Sequence, residues 1–181
     1  MAEKKENIIT HSMHSGLILG GLLVVRDFLL QDVFSNNLFM VFLLSLAGFA
    51  VSIYCILFFT KKYNNEVLNG EISYAKALHY AFYMFFFAGM IVALFAFIYF
   101  QYINPDYLSN QGEMFINLLK QLNPSEEAMK PYENLFRNMQ VQTPANAALN
   151  TLWSVVFNGF IIALFTSLFF RKPKNIQNNQ S

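Results

Sequence analysis

Hydrophobic residues along the chain are concentrated in long runs that polar segments separate. Three of these runs are predominantly apolar and cover residues 38–60, 77–103 and 149–170. A transmembrane helix needs about 20 apolar residues, because each residue adds about 1.5 Å along the helix and the hydrocarbon core is about 30 Å thick. The pattern therefore predicts a transmembrane helix in each of these three runs.

The first apolar run, Gly16–Val25, is too short to cross a membrane by itself. It makes about 15 Å of helix, roughly half of the hydrocarbon core. We expect the helix to continue past Arg26 and Asp27 and to cover residues 8–30. The segment "MAEKKE" has mixed charge and no small-residue cleavage pattern follows, so we expect a retained helix and not a cleaved signal peptide. The predicted fold is a single all-α integral membrane domain, 1–181, with four transmembrane helices.

Basic residues near the helix ends predict which side of the membrane each connection occupies, because cytoplasmic segments carry an excess of Lys and Arg. Residues 31–37, between the first two helices, contain none. Basic residues occur instead before the first helix, between the second and third, and after the fourth: Lys4, Lys5, Lys61, Lys62, Lys76, Arg171, Lys172 and Lys174. Both termini, including the tail 171–181, are therefore predicted to be cytoplasmic, and the insertion 104–148 to be extracytoplasmic.

Composition supports the class of membrane proteins and excludes that of nucleic-acid-binding proteins. The chain is 55% hydrophobic with 21 Phe and only 13% charged residues, which is too apolar for a water-soluble domain of this length. The net charge is +1 and no basic run is longer than a pair, so a nucleic-acid partner is excluded. The single cysteine, Cys55, provides neither a disulfide framework nor a cysteine metal cluster.

Small residues recur every four positions on two of the predicted helices. Gly16 and Gly20 do so in the first helix, and Gly159 and Ala163 in the fourth. Lipid is as apolar as leucine, so helices in membranes associate through close backbone approach at small residues and through polar contacts. We expect these residues to pack within the bundle, with homodimerisation through Gly16 and Gly20 as the alternative.

Arg26 and Asp27 are charged residues within a predicted transmembrane helix. In a helix over residues 8–30, Arg26 lies about 10 Å beyond the midpoint, so its guanidinium can snorkel toward the predicted outer surface. Asp27 points about 100° away around the helix, and we expect the two side chains not to pair with each other.

Asn158 lies deeper in the fourth helix, at a depth where an amide usually joins neighbouring helices by hydrogen bonding. Three residues of the third and fourth helices lie at the predicted level of Arg26: Tyr99, Trp153 and Ser154. We therefore hypothesise that Arg26 makes a cation-π or hydrogen-bonded contact with one of these residues. Such a contact would fix the first helix against the third and fourth.

The insertion 104–148 has the pattern of helices, since each of three prolines follows a capping residue, at Asn104, Asn123 and Thr143. Apolar residues recur on one face of two segments: Leu108, Phe115, Leu119 and Leu122, then Tyr132, Leu135, Phe136 and Met139. These faces either fold on each other over the bundle, lie at the membrane surface or bind a partner. For the last case the candidates are Leu108, Phe115, Leu119, Tyr132 and Phe136.

Motifs for metalloprotease, hydrolase or nucleotide chemistry do not occur in the sequence, and we expect no cofactor. The best candidates for a metal-binding or pH-sensing site are His11, His14 and His79, because the predicted topology places all three at cytoplasmic helix ends. Three imidazoles can hold zinc or copper, or sense pH. The alternative is three unrelated interfacial residues, because neither a carboxylate nor a cysteine is spaced alongside them.

Two stretches resemble a known family: "LNGEISYAKALHYAFY", Leu68–Tyr83, and "YFQYINPDYL", Tyr99–Leu108. Four residues match a Gly-x-Ile-Ser-aromatic start of the third helix, and three match an Asn-Pro-Asp exit into a long helical insertion: Gly70, Ile72, Ser73 and Tyr74, then Asn104, Pro105 and Asp106. From Gly16 to Lys172 the chain resembles the bacterial membrane proteins of domain-of-unknown-function family 4199 (DUF4199), although its insertion is richer in Asn and Gln and contains Pro131. The resemblance implies a four-helix architecture and transfers no catalytic residue.

These observations favour a non-enzymatic structural or interaction protein of the bacterial inner membrane, which uses the insertion to bind an envelope protein partner or to shape the envelope. A homo-oligomer is a further candidate assembly. A small transporter or channel is the alternative from another class, with a polar route near Arg26, Asp27 and Asn158. A membrane enzyme is third, and requires Asp27, Tyr or Ser groups to converge on one cavity.

Overall fold

The computed structural model of the chain describes residues 7–34, 37–121, 130–132, 134 and 143–170. Over these residues every regular element is helical and no strand occurs, so the all-α prediction is confirmed. The described part contains four helices that are long and apolar enough to cross a membrane: Ile8–Val33, Leu38–Glu66, Tyr74–Ile103 and Pro144–Phe170. Their number confirms the prediction of four spans, and they indicate a multi-pass membrane protein in contact with the lipid bilayer.

In the described part of the chain, five α-helices have defined bounds, and they form these spans and part of the connection between the last two. In chain order they are α1 (Ile8–Phe28), α2 (Leu38–Glu66), α3 (Tyr74–Ile98), α4 (Tyr107–Gln121) and α5 (Pro144–Thr166). A π-helical turn continues α1 over Leu29–Val33 and another continues α3 over Tyr99–Ile103, while a 3₁₀ turn, Ser167–Phe170, follows α5.

Three helices extend beyond the apolar runs from which they were predicted, and α3 does so by beginning at Tyr74 instead of residue 77. α2 continues to Glu66 instead of ending at residue 60, and α5 begins at Pro144 instead of residue 149. At the start of α5 the hydroxyl oxygen of Thr143 accepts a hydrogen bond from the backbone N–H of Asn146 at 3.3 Å. Proline is favoured directly after such a cap, because its missing N–H would have no partner in the helix. Capping and not hydrophobicity therefore sets the first residue of α5.

The connection between α2 and α3 is a tight turn with left-handed backbone conformation at two positions. Asn69 has φ of 50° and Gly70 has φ of 82°. Asparagine and glycine are the residues that adopt this conformation most readily. The side-chain oxygen of Asn64 accepts a hydrogen bond from the backbone N–H of Ile72 at 2.8 Å, which holds the turn against the end of α2.

The contacts divide the chain into two compact units, Met1–Ile91 with Trp153–Ser181, and Val92–Leu152. In the first unit, α1 lies directly against α3 at Gly16 and Gly20. A Cβ atom on Gly16 would lie 2.6 Å from the carbonyl oxygen of Met84, and one on Gly20 would lie 2.9 Å from Cβ of Ile91. These distances leave no room for a side chain. The face of α1 that carries Gly16 and Gly20, for which homodimerisation was the alternative, is therefore covered by α3.

A similar contact joins α3 and α5 in the same unit. The ring of Phe85 fills the space where Gly159 has no side chain, and Phe85 and Ala163 are both buried. At the other end of this pair, the hydroxyl of Tyr74 donates a hydrogen bond to the carbonyl oxygen of Leu164 at 3.4 Å. α3 therefore contacts α1 on one side and α5 on another.

The second unit has an aromatic core of its own. Tyr99 and Phe100, in the π-helical turn after α3, pack with Ala96 and Ala147. Tyr107, the first residue of α4, stacks on Phe100 with ring centroids 5.8 Å apart and meets the edge of Tyr99 at 5.7 Å. α4 is thereby held at its first residue, and further along it buries Ile116 while Glu113 and Asn117 are exposed.

We predict that Gly16→Ala and Gly20→Ala destabilise the protein, whereas Gly21→Ala does not. A Cβ atom at Gly16 or Gly20 must push α1 away from α3, whereas Gly21 has no atom within 4 Å of the added carbon. Overpacking of this kind costs roughly 1–3 kcal/mol. The unfolding free energy in mixed detergent micelles measures the effect. The Gly21 variant controls for the higher helix propensity of alanine, and equal stability of all three variants would contradict the close α1–α3 contact.

Candidate functional site

A polar cavity of about 280 Å³ lies among the membrane-spanning helices of the first unit. Its polar lining residues come from three helices: Arg26 of α1, Ser45 and Ser52 of α2, and Ser154 and Asn158 of α5. The structure thus brings together Arg26 and Asn158, two of the three intramembrane polar residues singled out from the sequence. The third, Asp27, binds Arg26 and is not part of the lining.

Arg26 and Asp27 form an ion pair, so the prediction that they do not pair was wrong. The Nε atom of Arg26 donates a hydrogen bond to Oδ1 of Asp27 at 2.9 Å, and Nη2 donates to the same oxygen. The prediction considered only that the two Cβ atoms point about 100° apart around the helix. The long arginine stem can bend back along the helix surface, and pairing lowers the cost of both charges at this depth.

The same arginine side chain lies across Gly48 of α2. A Cβ atom on Gly48 would fall 2.7 Å from Nη1 of Arg26, so a larger residue at this position would displace the guanidinium. The hypothesis from the sequence was that Arg26 fixes α1 against the third and fourth helices through Tyr99, Trp153 or Ser154. The structure instead places Arg26 against α2 and shows Ser154 across the shared cavity, while Trp153 is 64% exposed.

The hydroxyl groups of the cavity donate to their own helices. Ser45 donates to the carbonyl oxygen of Val41 at 2.7 Å, and Ser52 donates to that of Gly48 at 2.8 Å. Each hydroxyl has one proton, so with that proton engaged the oxygen still offers lone pairs as an acceptor. These two serines therefore present hydrogen-bond acceptors to the cavity.

Asn158 also bonds within its own helix and not to a neighbouring one, contrary to the expected joining role. Its Nδ2 atom donates to the carbonyl oxygen of Ser154 at 2.8 Å and lies 3.3 Å from the Ser154 hydroxyl. Among the described residues, neither Oδ1 of Asn158 nor Nη1 of Arg26 has a hydrogen-bond partner. The cavity thus offers one strong acceptor and one charged donor.

The cavity has a buried floor and an exposed rim. The floor consists of the buried lining residues Leu23, Gly48, Ser52, Phe85, Gly159 and Ile162. The rim consists of Ser45, Phe49, Ser154, Asn158 and Ile161, all exposed. Because the rim residues lie within membrane-spanning segments, the cavity opens sideways toward lipid between α2 and α5.

Along the membrane normal the cavity is short. Its lining covers seven residue steps of α2, from Ser45 to Ser52, and eight of α5, from Ser154 to Ile162. At about 1.5 Å per residue, this is roughly 10–12 Å, about a third of a hydrocarbon core of about 30 Å. The geometry is that of a pocket and not of a continuous polar route.

A second polar cluster is built on His11, near the beginning of α1. The Nδ1 atom of His11 lies 2.8 Å from the hydroxyl of Tyr80, and the Ser15 hydroxyl lies 2.7 Å from the same oxygen. Tyr80 is completely buried and stacks on Tyr63 of α2 at 4.9 Å. The Nε2 atom of His11 lies 4.0 Å from the carboxylate of Glu66. The cluster therefore joins α1, α2 and α3.

The three histidines that the sequence grouped do not converge. His14 is exposed, and His79 is exposed with Nδ1 2.8 Å from the carbonyl oxygen of Ala75 in its own helix. Across the described part of the chain, no group of three His, Cys, Asp or Glu residues is placed to hold a metal ion. The His11 ring instead contacts the Tyr80 hydroxyl and the Glu66 carboxylate, and the Ser15 hydroxyl shares the same tyrosine oxygen. The four-residue spacing of His11 and Ser15 could have indicated one shared face.

The candidate partner-binding residues of the insertion are only partly described. Leu119 is half-buried in α4 and Tyr132 is 42% exposed. The side chains of Leu108 and Phe115, and the whole of Phe136, lie outside the described residues. In α4 the buried positions include Gly112 and Ile116, which the predicted stripe omitted.

We predict that Tyr80→Phe destabilises the protein by roughly 1–3 kcal/mol, the usual cost of leaving buried polar groups unpaired. The hydroxyl removed is shared by His11 and Ser15, both buried. Thermal unfolding in detergent measures the effect. Tyr83→Phe is the matched control, because Tyr83 lies in the same helix and its hydroxyl has no hydrogen bond to a described residue. Equal melting of the two variants would show that the His11 cluster does not stabilise the fold.

Comparison with known proteins places the chain in a family. The family described as "Protein of unknown function (DUF4199)" matches residues 14–172, which include most of all four membrane-length helices. No curated protein and no solved structure matches the chain. The resemblance inferred from the motifs around Gly70 and Asn104 is confirmed, and the chain belongs to the DUF4199 family.

Proposed function

We propose that the protein is a non-enzymatic interaction protein of the bacterial inner membrane. In this proposal both termini are cytoplasmic, and residues 104–148 form an extracytoplasmic cap that binds an envelope protein. The distribution of Lys and Arg around the spans supports the orientation: residues 31–37 lack them, whereas Lys61 and Lys62 lie in the last turns of α2 and Lys76 in the first turn of α3.

The observation that carries the proposal is the aromatic core of the second unit. Tyr107 is packed against Tyr99 and Phe100, so the first turn of α4 is fixed to the π-helical turn that ends the third span. A loop without function need not be ordered in this way. A partner that binds a fixed helix avoids most of the entropy cost of ordering it.

The surface that α4 presents is suited to a protein partner. Ile116 is buried inside the unit, while Glu113, Asn117 and Gln121 are exposed. Such a polar face favours contact with a water-exposed protein surface over insertion into the bilayer. Tyr132, 42% exposed, adds a residue type that is enriched in protein interfaces.

The alternative of a small transporter or channel is favoured by one observation, the polar cavity around Arg26 and Asn158. Its short extent along the membrane normal weighs against a conducting route, which needs polar or hydrated surface across the whole core. Proteoliposomes distinguish the two functions: we expect no flux of ions or small solutes above that of protein-free liposomes. Flux that Asn158→Leu abolishes would overturn the interaction proposal in favour of transport.

A cross-linking experiment in spheroplasts tests the proposed partner and the orientation together. In a Cys55→Ser background, Glu113→Cys and Glu71→Cys each introduce one exposed thiol, and a membrane-impermeant thiol-reactive photo-cross-linker is added. We expect the linker to label the Glu113→Cys thiol and join it to one protein partner of reproducible mass, and to leave the Glu71→Cys thiol unlabelled.

Adding Tyr107→Ala to the Glu113→Cys chain is the specificity control. It removes the ring that fixes α4, so the thiol should still be labelled while the partner adduct is lost. Labelling of the Glu71→Cys thiol alone would show that the orientation is reversed. Labelling of the Glu113→Cys thiol without a partner adduct, or an adduct that survives Tyr107→Ala, would overturn the proposed role of the cap.

A further inference from the structure

We propose that the cavity between α2 and α5 binds the zwitterionic headgroup of an aminophospholipid, with the phosphate at Arg26 and the ammonium group at Asn158 and the neighbouring serine oxygens. This inference rests on the membrane-spanning helices of the first unit. It goes beyond the proposed function of the cap and can fail or succeed independently of it.

The need for a polar occupant follows from the groups that line the cavity. Nη1 of Arg26 donates no hydrogen bond to a described residue, and Oδ1 of Asn158 accepts none. At hydrocarbon depth, polar groups without partners are costly, because lipid chains cannot hydrogen-bond to them. Arg26 lies about 8 Å from the midpoint of the membrane-length span Ile8–Val33, inside a half-core of about 15 Å. A polar molecule in the cavity would supply the missing partners.

The charges of the site favour a zwitterion over a simple anion. Arg26 is the one charged residue among the described lining, and Asp27 already neutralises it from outside the cavity. An arginine with one carboxylate still has N–H groups for a second oxyanion, since the guanidinium carries five donors. A bound anion would leave the site with a net negative charge, whereas a headgroup with its own cation leaves it neutral.

The acceptors identify the cation as one that carries N–H groups. Oδ1 of Asn158 and the oxygens of Ser45 and Ser52, whose protons are donated to their own helices, all accept hydrogen bonds. An ammonium group has three N–H donors to offer them. A trimethylated ammonium has the same charge and no N–H donor, so phosphatidylethanolamine should bind more tightly than phosphatidylcholine.

Access and size favour a lipid over a second copy of the chain. The exposed rim opens sideways into the bilayer, and its apolar members, Phe49 and Ile161, suit acyl chains outside a bound headgroup. The volume of about 280 Å³ far exceeds the roughly 10–15 Å³ that a single water molecule requires. This is enough for a headgroup, whereas a helix with a diameter of about 10 Å could not reach the buried floor.

Native mass spectrometry of the full chain in detergent tests the proposal with two probes, dioleoyl phosphatidylethanolamine and dioleoyl phosphatidylcholine. We expect one phosphatidylethanolamine per chain, bound about tenfold more tightly than phosphatidylcholine, because only the former satisfies the acceptors. Asn158→Leu should reduce this preference to within about twofold. Asn150→Leu removes an exposed amide from the same helix outside the cavity and should leave the preference unchanged.

Further arms of the experiment identify other occupants. Arg26→Lys keeps the charge but loses the planar set of N–H donors of the guanidinium, and should weaken phosphatidylethanolamine binding. Asn150→Leu should not weaken it. If Arg26→Lys fails to fold, the comparison of Asn158→Leu with Asn150→Leu decides alone, since both residues are exposed.

Equal retention of the two lipids, or a preference that survives Asn158→Leu, overturns the proposal. Displacement of the lipid by equimolar free phosphoethanolamine would also overturn the proposal, because it would indicate a soluble ligand. A dimer that Asn158→Leu abolishes would overturn it as well, because it would indicate that a second copy of the chain occupies the cavity.

Discussion

Close backbone contact between α1 and α3 is the interaction on which the arrangement of the membrane-spanning helices depends. Lipid surrounds these helices with a medium as apolar as their own side chains, so burying leucine or phenylalanine gives little driving force for association. Gly16 and Gly20 allow α1 to approach the backbone of α3 at Met84 and Ala88, where many weak dispersion contacts add up. The buried hydrogen bonds of Tyr80 to His11 and Ser15 join the same two helices.

The position of the cavity follows from these contacts. α3 lies against α1 at Gly16 and Gly20 and against α5 at Gly159, while Arg26 of α1 lies across Gly48 of α2. α2 and α5 are thus attached through different neighbours, and the space between them is the cavity that Arg26 and Asn158 line. Glycine at position 48 has two effects, since it provides a surface for the arginine stem and leaves room for the guanidinium to line the cavity.

The ion pair of Arg26 with Asp27 explains how two adjacent charges are tolerated within a helix that crosses the membrane. Each charge alone would cost several kcal/mol at this depth, and two hydrogen bonds to one carboxylate oxygen satisfy part of both groups. The pair is neutral as a whole but strongly dipolar, and it leaves one face of the guanidinium unpaired. A charge pair of this kind stabilises the helix and also keeps a donor available to a bound molecule.

The sequence alone determines the class, the number of spans and the family. Twenty or more apolar residues in a run predict a helix in a bilayer, because a helix satisfies its backbone groups within one segment and without water. Small residues at four-residue spacing indicated which faces of α1 and α5 could pack closely. Only the tertiary structure decided which helices meet, since glycine spacing identifies a face but not its partner. It also decided that Asp27 binds Arg26, that Asn158 bonds within its own helix, and that His11 meets Tyr80 and not another histidine. These outcomes depend on side-chain rotamers and on the approach of residues far apart in the chain, 69 positions for His11 and Tyr80 and 90 for Tyr74 and Leu164. Neither hydrophobic pattern nor local spacing contains that information.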